Sequence, residues 1–61
     1  MALPKDPYIL LSYLNTQLRD FYPDLTQLCA DLNAERGAVE NAMESVGYRY
    51  DPVKNQFVAF E

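Results

Sequence analysis

Apolar residues recur in the first third of the chain at the three- and four-residue spacing of an α-helix. Four of them centre one face and three lie on its flanks. Those at the centre are Leu10, Leu14, Leu18 and Phe21, and those on the flanks are Leu11 on one side and Ile9 and Tyr13 on the other. Asp6-Pro7 marks the start, because the carboxylate can accept hydrogen bonds from first-turn amides and proline needs no donor there. The pattern predicts helix one over residues 7–20, with a wide apolar arc that touches more than one neighbour.

Two shorter segments follow, each with apolar residues at i, i+3, i+4 and i+7. The first comes after Asp24, whose spacing to Gln27 is that of a capping box, and it predicts helix two over residues 25–32. The second predicts helix three over residues 35–46, ended by Gly47, which can adopt a left-handed conformation at little steric cost. A short turn between them makes the pair a helix-turn-helix.

The last segment alternates and is rich in aromatic and β-branched residues, which is typical of strands. The segment contains two strand-like runs, which are separated by residues 51–55. Asp51 followed by Pro52 favours a type I turn, and Asn55 suits a left-handed backbone position. We therefore predict a two-stranded β-hairpin over residues 48–60.

Together these elements predict a mostly α fold of the α+β class, with a helix-turn-helix and a C-terminal hairpin in a winged-helix-like order. An isolated hairpin is marginal in water, so its aromatic rings must pack on the helices. We expect them on the flank of helix one that carries Ile9 and Tyr13. With 61 residues, 49% of them hydrophobic, the chain is one small globular domain over residues 1–61.

Charge changes the usual interpretation of such a fold, which is DNA binding. The chain carries five basic and nine acidic residues, a net charge of −4, and no histidine. Helix three would enter the major groove, yet it carries more carboxylates than cations, and affinity for DNA depends on lysine and arginine. A DNA-binding regulator is the alternative function, with Arg36, Arg49 and Lys54 as candidate contacts.

Residues for catalysis or metal binding are scarce. Without histidine, and with a single cysteine, the usual pairs of nucleophile and base are missing. We expect Cys29, on the apolar face of helix two, to be a small core residue, and Glu40 and Glu44 to form a solvated acidic face. We predict no enzyme, no catalytic residue, no cofactor and no metal, although composition alone leaves room for a minor ligand-binding or enzymatic role.

Helix one has an unusual polar face, formed by Ser12, Asn15, Thr16 and Arg19. Serine, asparagine and threonine cost helix propensity that lysine or glutamate would not, so something must compensate for them. Either these side chains bond to neighbouring segments of the protein, or they contact a partner. With Lys5 they form the candidate interaction surface.

Aromatic residues are the other candidates for a contact surface. Five tyrosines and three phenylalanines cannot all be buried in so short a chain, and tyrosine is enriched at protein interfaces. We expect Tyr8, Tyr22 and Phe60 to be the exposed ones.

Several motifs are similar to those of a known family. They are Leu3-Pro4-Lys5-Asp6-Pro7, Leu10-Leu11-Ser12-Tyr13, Asn15-Thr16-Gln17-Leu18-Arg19-Asp20-Phe21-Tyr22, Leu28-Cys29, Gly47-Tyr48, Tyr50 and Asn55-Gln56-Phe57. The chain resembles a family of short bacterial proteins, domain of unknown function 4250. The resemblance implies a small, self-contained bacterial protein and transfers no catalytic or binding residue.

The sequence thus favours a non-enzymatic protein-interaction module, whose partner is another protein or a second copy of itself. No apolar run approaches the roughly 18 residues that span a bilayer, and the first residues lack a basic stretch leading into an apolar one. We expect a cytoplasmic protein without a membrane partner.

Overall fold

A computed structural model of the chain describes residues 3–60 and contains three helices followed by an antiparallel hairpin. The elements are α1 (Pro7–Asp20), α2 (Leu25–Asp31), α3 (Arg36–Glu44), β1 (Tyr48–Asp51) and β2 (Gln56–Ala59). This order confirms the predicted fold, and α1 has the predicted bounds. Helix α3 is shorter than the predicted 35–46, because the chain tightens into i to i+3 hydrogen bonds after Glu44. No helix among the described residues is both long and apolar enough to cross a membrane.

The predicted caps and turn residues set these boundaries. The Asp6 carboxylate accepts hydrogen bonds from the amides of Tyr8 and Ile9, at 2.8 and 3.3 Å. At the start of α2, Asp24 accepts one from the amide three residues later, at 2.8 Å. Gly47 and Asn55 have φ angles of +84° and +54°, the left-handed conformations predicted for both. Local chemistry therefore determines where most elements begin and end.

One hydrophobic core holds the three helices and the hairpin together. Its buried side chains are Leu10, Leu14, Leu18, Leu25, Leu28, Cys29, Val39, Met43 and Phe57. The hairpin contributes Phe57, which pairs with Tyr50 across the two strands, with ring centroids 5.6 Å apart. The hairpin is thus part of the core rather than an appendage to it.

The hairpin packs on the opposite flank of α1 from the one predicted. Side chains at Asn15 and Asn55 join α1 to the hairpin through hydrogen bonds, on the flank that carries Leu11. Ile9, on the predicted flank, is 59% exposed, while Tyr13 is half-buried against the core. The expectation about the flank was wrong, because apolar residues on both flanks offered two packing solutions.

Two further burial expectations were wrong. Phe21 does not centre the apolar face of α1 but is 70% exposed. The helix ends at Asp20, and Phe21 has a φ of −128°, so helical geometry no longer sets the direction of its side chain. Tyr22 was expected outside but is half-buried against the core, while Tyr8 and Phe60 are exposed as predicted.

Candidate functional site

An open groove of about 710 Å³ runs between α1 and the hairpin. We call it the α1–hairpin groove. Its α1 wall consists of Tyr8, Leu11, Ser12, Asn15, Thr16, Leu18 and Arg19, and its hairpin wall of Tyr48, Lys54, Asn55 and Gln56. A volume of this size lies within the range of ligand-binding clefts, which is roughly 300–1,000 Å³.

The groove collects most of the candidate interaction surface. The whole polar face of α1, namely Ser12, Asn15, Thr16 and Arg19, lines one wall. Lys5 precedes α1 and is exposed, but it is not part of the lining. The hairpin wall adds residues that the sequence did not connect with this face.

Tyr8 and Tyr48 line the groove, although the sequence did not connect either of them with the polar face of α1; Tyr8 was expected only as an exposed aromatic residue. Tyr8 continues the spacing of Ser12, Asn15 and Arg19 one turn towards the helix start, at i, i+4, i+7 and i+11, and this pattern was available in the sequence. Tyr48 gave no such signal, because its position depends on which flank of α1 receives the hairpin.

Asn15 fastens the hairpin to α1. Its amide nitrogen donates to the carbonyl of Phe57 at 3.2 Å, and its side-chain oxygen accepts from the Phe57 amide at 2.7 Å. The side chain thus pairs with β2 much as a neighbouring strand would. Asn15 is half-buried at this contact, so its placement is that of a structural clamp within the groove wall.

A second asparagine, in the hairpin turn, completes the attachment. The Asn55 amide nitrogen donates to the carbonyls of Leu18 and Tyr22, at 3.1 and 3.0 Å. Its side-chain oxygen accepts from the Tyr50 hydroxyl at 2.6 Å, and that hydroxyl accepts from the Leu25 amide at 3.2 Å. One side chain therefore connects the end of α1, the hairpin and the start of α2.

These contacts give the groove a direction. Asn55 lies beside the last turn of α1, and Phe57 lies beside Asn15, so β2 runs antiparallel to α1. Tyr48 pairs with Ala59 at the far end of the hairpin, towards the start of α1. The groove therefore has an aromatic end, formed by Tyr8 and Tyr48, and a cationic end, formed by Arg19 and Lys54.

The positive charge at the cationic end comes from Arg19, which is ion-paired, and from Lys54, which forms no ion pair with the described residues. Arg19 forms a two-point ion pair with Asp20, at 2.8 and 2.9 Å. This hydrogen-bonded pair raises the pKa of the Arg19 guanidinium and lowers the pKa of the Asp20 carboxyl. Lys54 is exposed and takes part in neither of the two ion pairs formed among residues 3–60. No carboxylate of the described residues lines the groove.

The remaining candidate DNA contacts lie outside the groove. The Arg36 guanidinium bonds to Glu40 at 2.9 Å and to Thr26 at 2.7 Å, and it lies 5.5 Å from the centre of the Tyr50 ring. Arg49 is the next residue to Tyr50 in β1, so it faces the other side of the hairpin. There it stacks over the Phe60 ring at 4.5 Å. The structure does not bring Arg36, Arg49 and Lys54 together on one surface.

Other reactive side chains are engaged or buried. Cys29 is 4% exposed, as expected of a core residue, and burial raises the pKa of its thiol. The Tyr22 hydroxyl donates a hydrogen bond to the Asp31 carboxylate, which raises the pKa of Tyr22. Within residues 3–60, no three metal-ligating side chains cluster. The groove is therefore the candidate site that the described residues offer.

Comparison with known proteins identifies the family and nothing narrower. No curated protein and no solved structure matches the chain. Residues 4–57 match the family described as domain of unknown function (DUF4250), and this match spans both groove walls and the core. The chain therefore belongs to the DUF4250 family.

Proposed function

We propose that the protein is a non-enzymatic protein-interaction module that binds its partner in the α1–hairpin groove. The observation that carries the proposal is the gathering, in one groove, of the polar face of α1, two tyrosines and Lys54. Tyrosine supplies large contact area and a hydroxyl at little conformational cost, which suits it to binding surfaces.

The way the groove is built supports a preformed binding surface. Asn15 and Asn55 attach the hairpin to α1 through three hydrogen bonds, at 2.7–3.2 Å, and Asn55 makes a fourth to the Tyr22 carbonyl just beyond the helix, at 3.0 Å. A surface held in its binding conformation loses less entropy on association. Serine and threonine on the exposed side of α1 are then explained by contact with a partner, since neither bonds the hairpin as Asn15 does.

Support for a non-enzymatic role is chemical. The chain has no histidine, and its cysteine is buried with a raised thiol pKa. The alternative of a DNA-binding regulator gains no support from the arrangement of its candidate contacts, because Arg36 and Arg49 are held on opposite sides of the hairpin.

Site-specific photo-crosslinking in cells of the native organism tests the proposal. A photoreactive amino acid replaces Thr16, which is exposed in the groove, and in a matched variant it replaces Asn41, which is exposed on α3. We expect discrete protein adducts from the Thr16 position and none of the same adducts from the Asn41 position. Identical adduct patterns from both positions would refute the groove as the binding surface.

A further inference from the structure

The two ends of the α1–hairpin groove differ in chemistry, and this difference indicates what the groove accepts. Tyr8, Tyr48 and Leu11 form an aromatic and apolar end, whereas Arg19 and Lys54 form a cationic end. We propose that the groove binds an extended, acidic peptide segment of another protein, with a carboxylate at the cationic end and an apolar side chain at the aromatic end. This inference rests on the proposed function and specifies its partner.

Charge complementarity is the first reason for an acidic segment. The protein carries a net charge of −4, so most of its surface repels an acidic partner. At the cationic end, Arg19 and Lys54 line the groove, whereas the neighbouring carboxylates, Asp20 paired with Arg19 and Asp51 bonded to the Lys54 amide, are not part of the lining. An acidic segment is therefore attracted at the cationic end, and this attraction fixes its position along the groove.

The length of the groove sets the spacing within the segment. Tyr8 and Arg19 are eleven residues apart on α1, which corresponds to about 16 Å along the helix axis at 1.5 Å per residue. An extended peptide rises about 3.3 Å per residue. The apolar residue and the acidic residue of the segment should therefore be about five positions apart.

Hydrogen-bonding groups between the two ends favour an extended peptide over a helical one. Ser12 and Thr16 on α1 and Gln56 on the hairpin place exposed hydroxyl and amide groups along the groove. An extended peptide presents unpaired backbone N–H and C=O groups, and these side chains can donate to and accept from them. A helix would present a backbone already paired within itself.

Binding of synthetic peptides, measured by amide chemical shifts of the protein, tests this inference. The probe is Gly-Phe-Ser-Gly-Ser-Gly-Glu-Gly, with Phe and Glu five positions apart, used in this order and in reverse and titrated to about 1 mM. Controls carry Gln in place of Glu, or Phe and Glu side by side. We expect the spaced acidic peptide to shift groove amides, to bind more tightly than both controls and to weaken as salt is raised.

Two protein variants separate a local contact from overall charge. Lys54→Gln removes a cation inside the groove, and Arg49→Gln removes one outside it. We expect Lys54→Gln to weaken binding about twofold to fivefold, the range of an exposed ion pair, and Arg49→Gln to leave affinity unchanged. Equal effects of the two variants, or no binding of the spaced acidic peptide, would overturn the inference.

The crosslinking and peptide experiments can refute the two proposals separately. If the Thr16 position gives specific adducts with a partner but no acidic peptide binds, the proposed function is supported and the proposal of an acidic segment is refuted. A dimer of the chain itself as the Thr16 adduct also overturns the acidic segment, since a second copy then occupies the groove. If neither experiment shows a contact at the groove, both proposals fall.

Discussion

Replacing Asn15 with alanine tests whether the hairpin depends on this one side chain for its attachment to α1. The amide makes two hydrogen bonds to the backbone of Phe57, at 2.7 and 3.2 Å. Each such bond contributes about 1 kcal/mol, and a partly buried amide and carbonyl left without partners cost more. Alanine recovers about 0.5 kcal/mol in helix propensity. The net loss is therefore about 2 kcal/mol of unfolding free energy.

A loss of that size is large for this chain. Domains are stabilised by roughly 0.05–0.15 kcal/mol per residue, which gives about 3–9 kcal/mol for 61 residues. For a domain of this length, 1 kcal/mol shifts the melting temperature by roughly 4–8 °C. We expect Asn15→Ala to melt about 8–16 °C below the parent protein, measured by circular dichroism and by urea denaturation at constant slope.

Two neighbours on the same helix are matched controls. Thr16→Ala removes a polar side chain that is exposed and should be slightly stabilising, through helix propensity. Arg19→Ala removes an ion pair at the solvent-exposed surface and should leave the melting temperature unchanged. If Asn15→Ala unfolds at the same urea concentration as Thr16→Ala, the clamp contributes nothing and the structural explanation of Asn15 is wrong.

Two other predictions concern a backbone conformation and a titrating group. Gly47→Ala should destabilise by about 1–2 kcal/mol, because φ is +84° there, although an added Cβ would meet no atom within 4 Å. Gly37→Ala, in a helix, should stabilise by up to about 1 kcal/mol, because its added Cβ would meet only the end of the exposed Glu35 side chain, at 3.3 Å. Shifts of the two urea midpoints in the same direction would contradict this pair of predictions. The bond to Asp31 raises the pKa of Tyr22 in the fold, so its stabilisation is complete below the unfolded pKa of about 10 and is lost as pH rises through the folded pKa. The stability difference between the parent and Tyr22→Phe should therefore shrink at alkaline pH, and a constant difference would refute the role of this bond.

Local signals were enough to predict most of the fold. Asp6, Asp24, Gly47 and Asn55 each perform the cap or turn role that their type and position predicted. Such roles depend on a few neighbouring residues, so they can be read without knowledge of the tertiary structure. The order of elements and the bounds of α1 followed from them.

The packing of the hairpin depends on contacts that are distant in sequence, and here prediction failed. Leu11 on one flank of α1 and Ile9 with Tyr13 on the other made both flanks acceptable to an apolar hairpin face. On the observed flank, the Asn15 amide bonds to the backbone of Phe57, 42 residues later. A polar residue in a helix does not reveal such a partner in its own neighbourhood.

Only one wall of the groove was predictable, because the other wall depends on contacts that are distant in sequence. Ser12, Thr16 and Arg19 lie on one helix face, so their proximity follows from helical spacing. The second wall, with Tyr48 and Lys54, exists because of the flank on which the hairpin packs. Sequence alone therefore indicated one side of the groove and missed that it was a groove.

The pairing of Asn15 with β2 also bears on solubility. A strand at the edge of a sheet offers unpaired N–H and C=O groups to strands of other molecules, which is a route to aggregation. In this two-stranded sheet, Phe57 lies in the middle of β2, and its outward-facing amide and carbonyl are both bonded to the Asn15 side chain. A single asparagine on a helix thereby occupies the position where a foreign strand would begin to add.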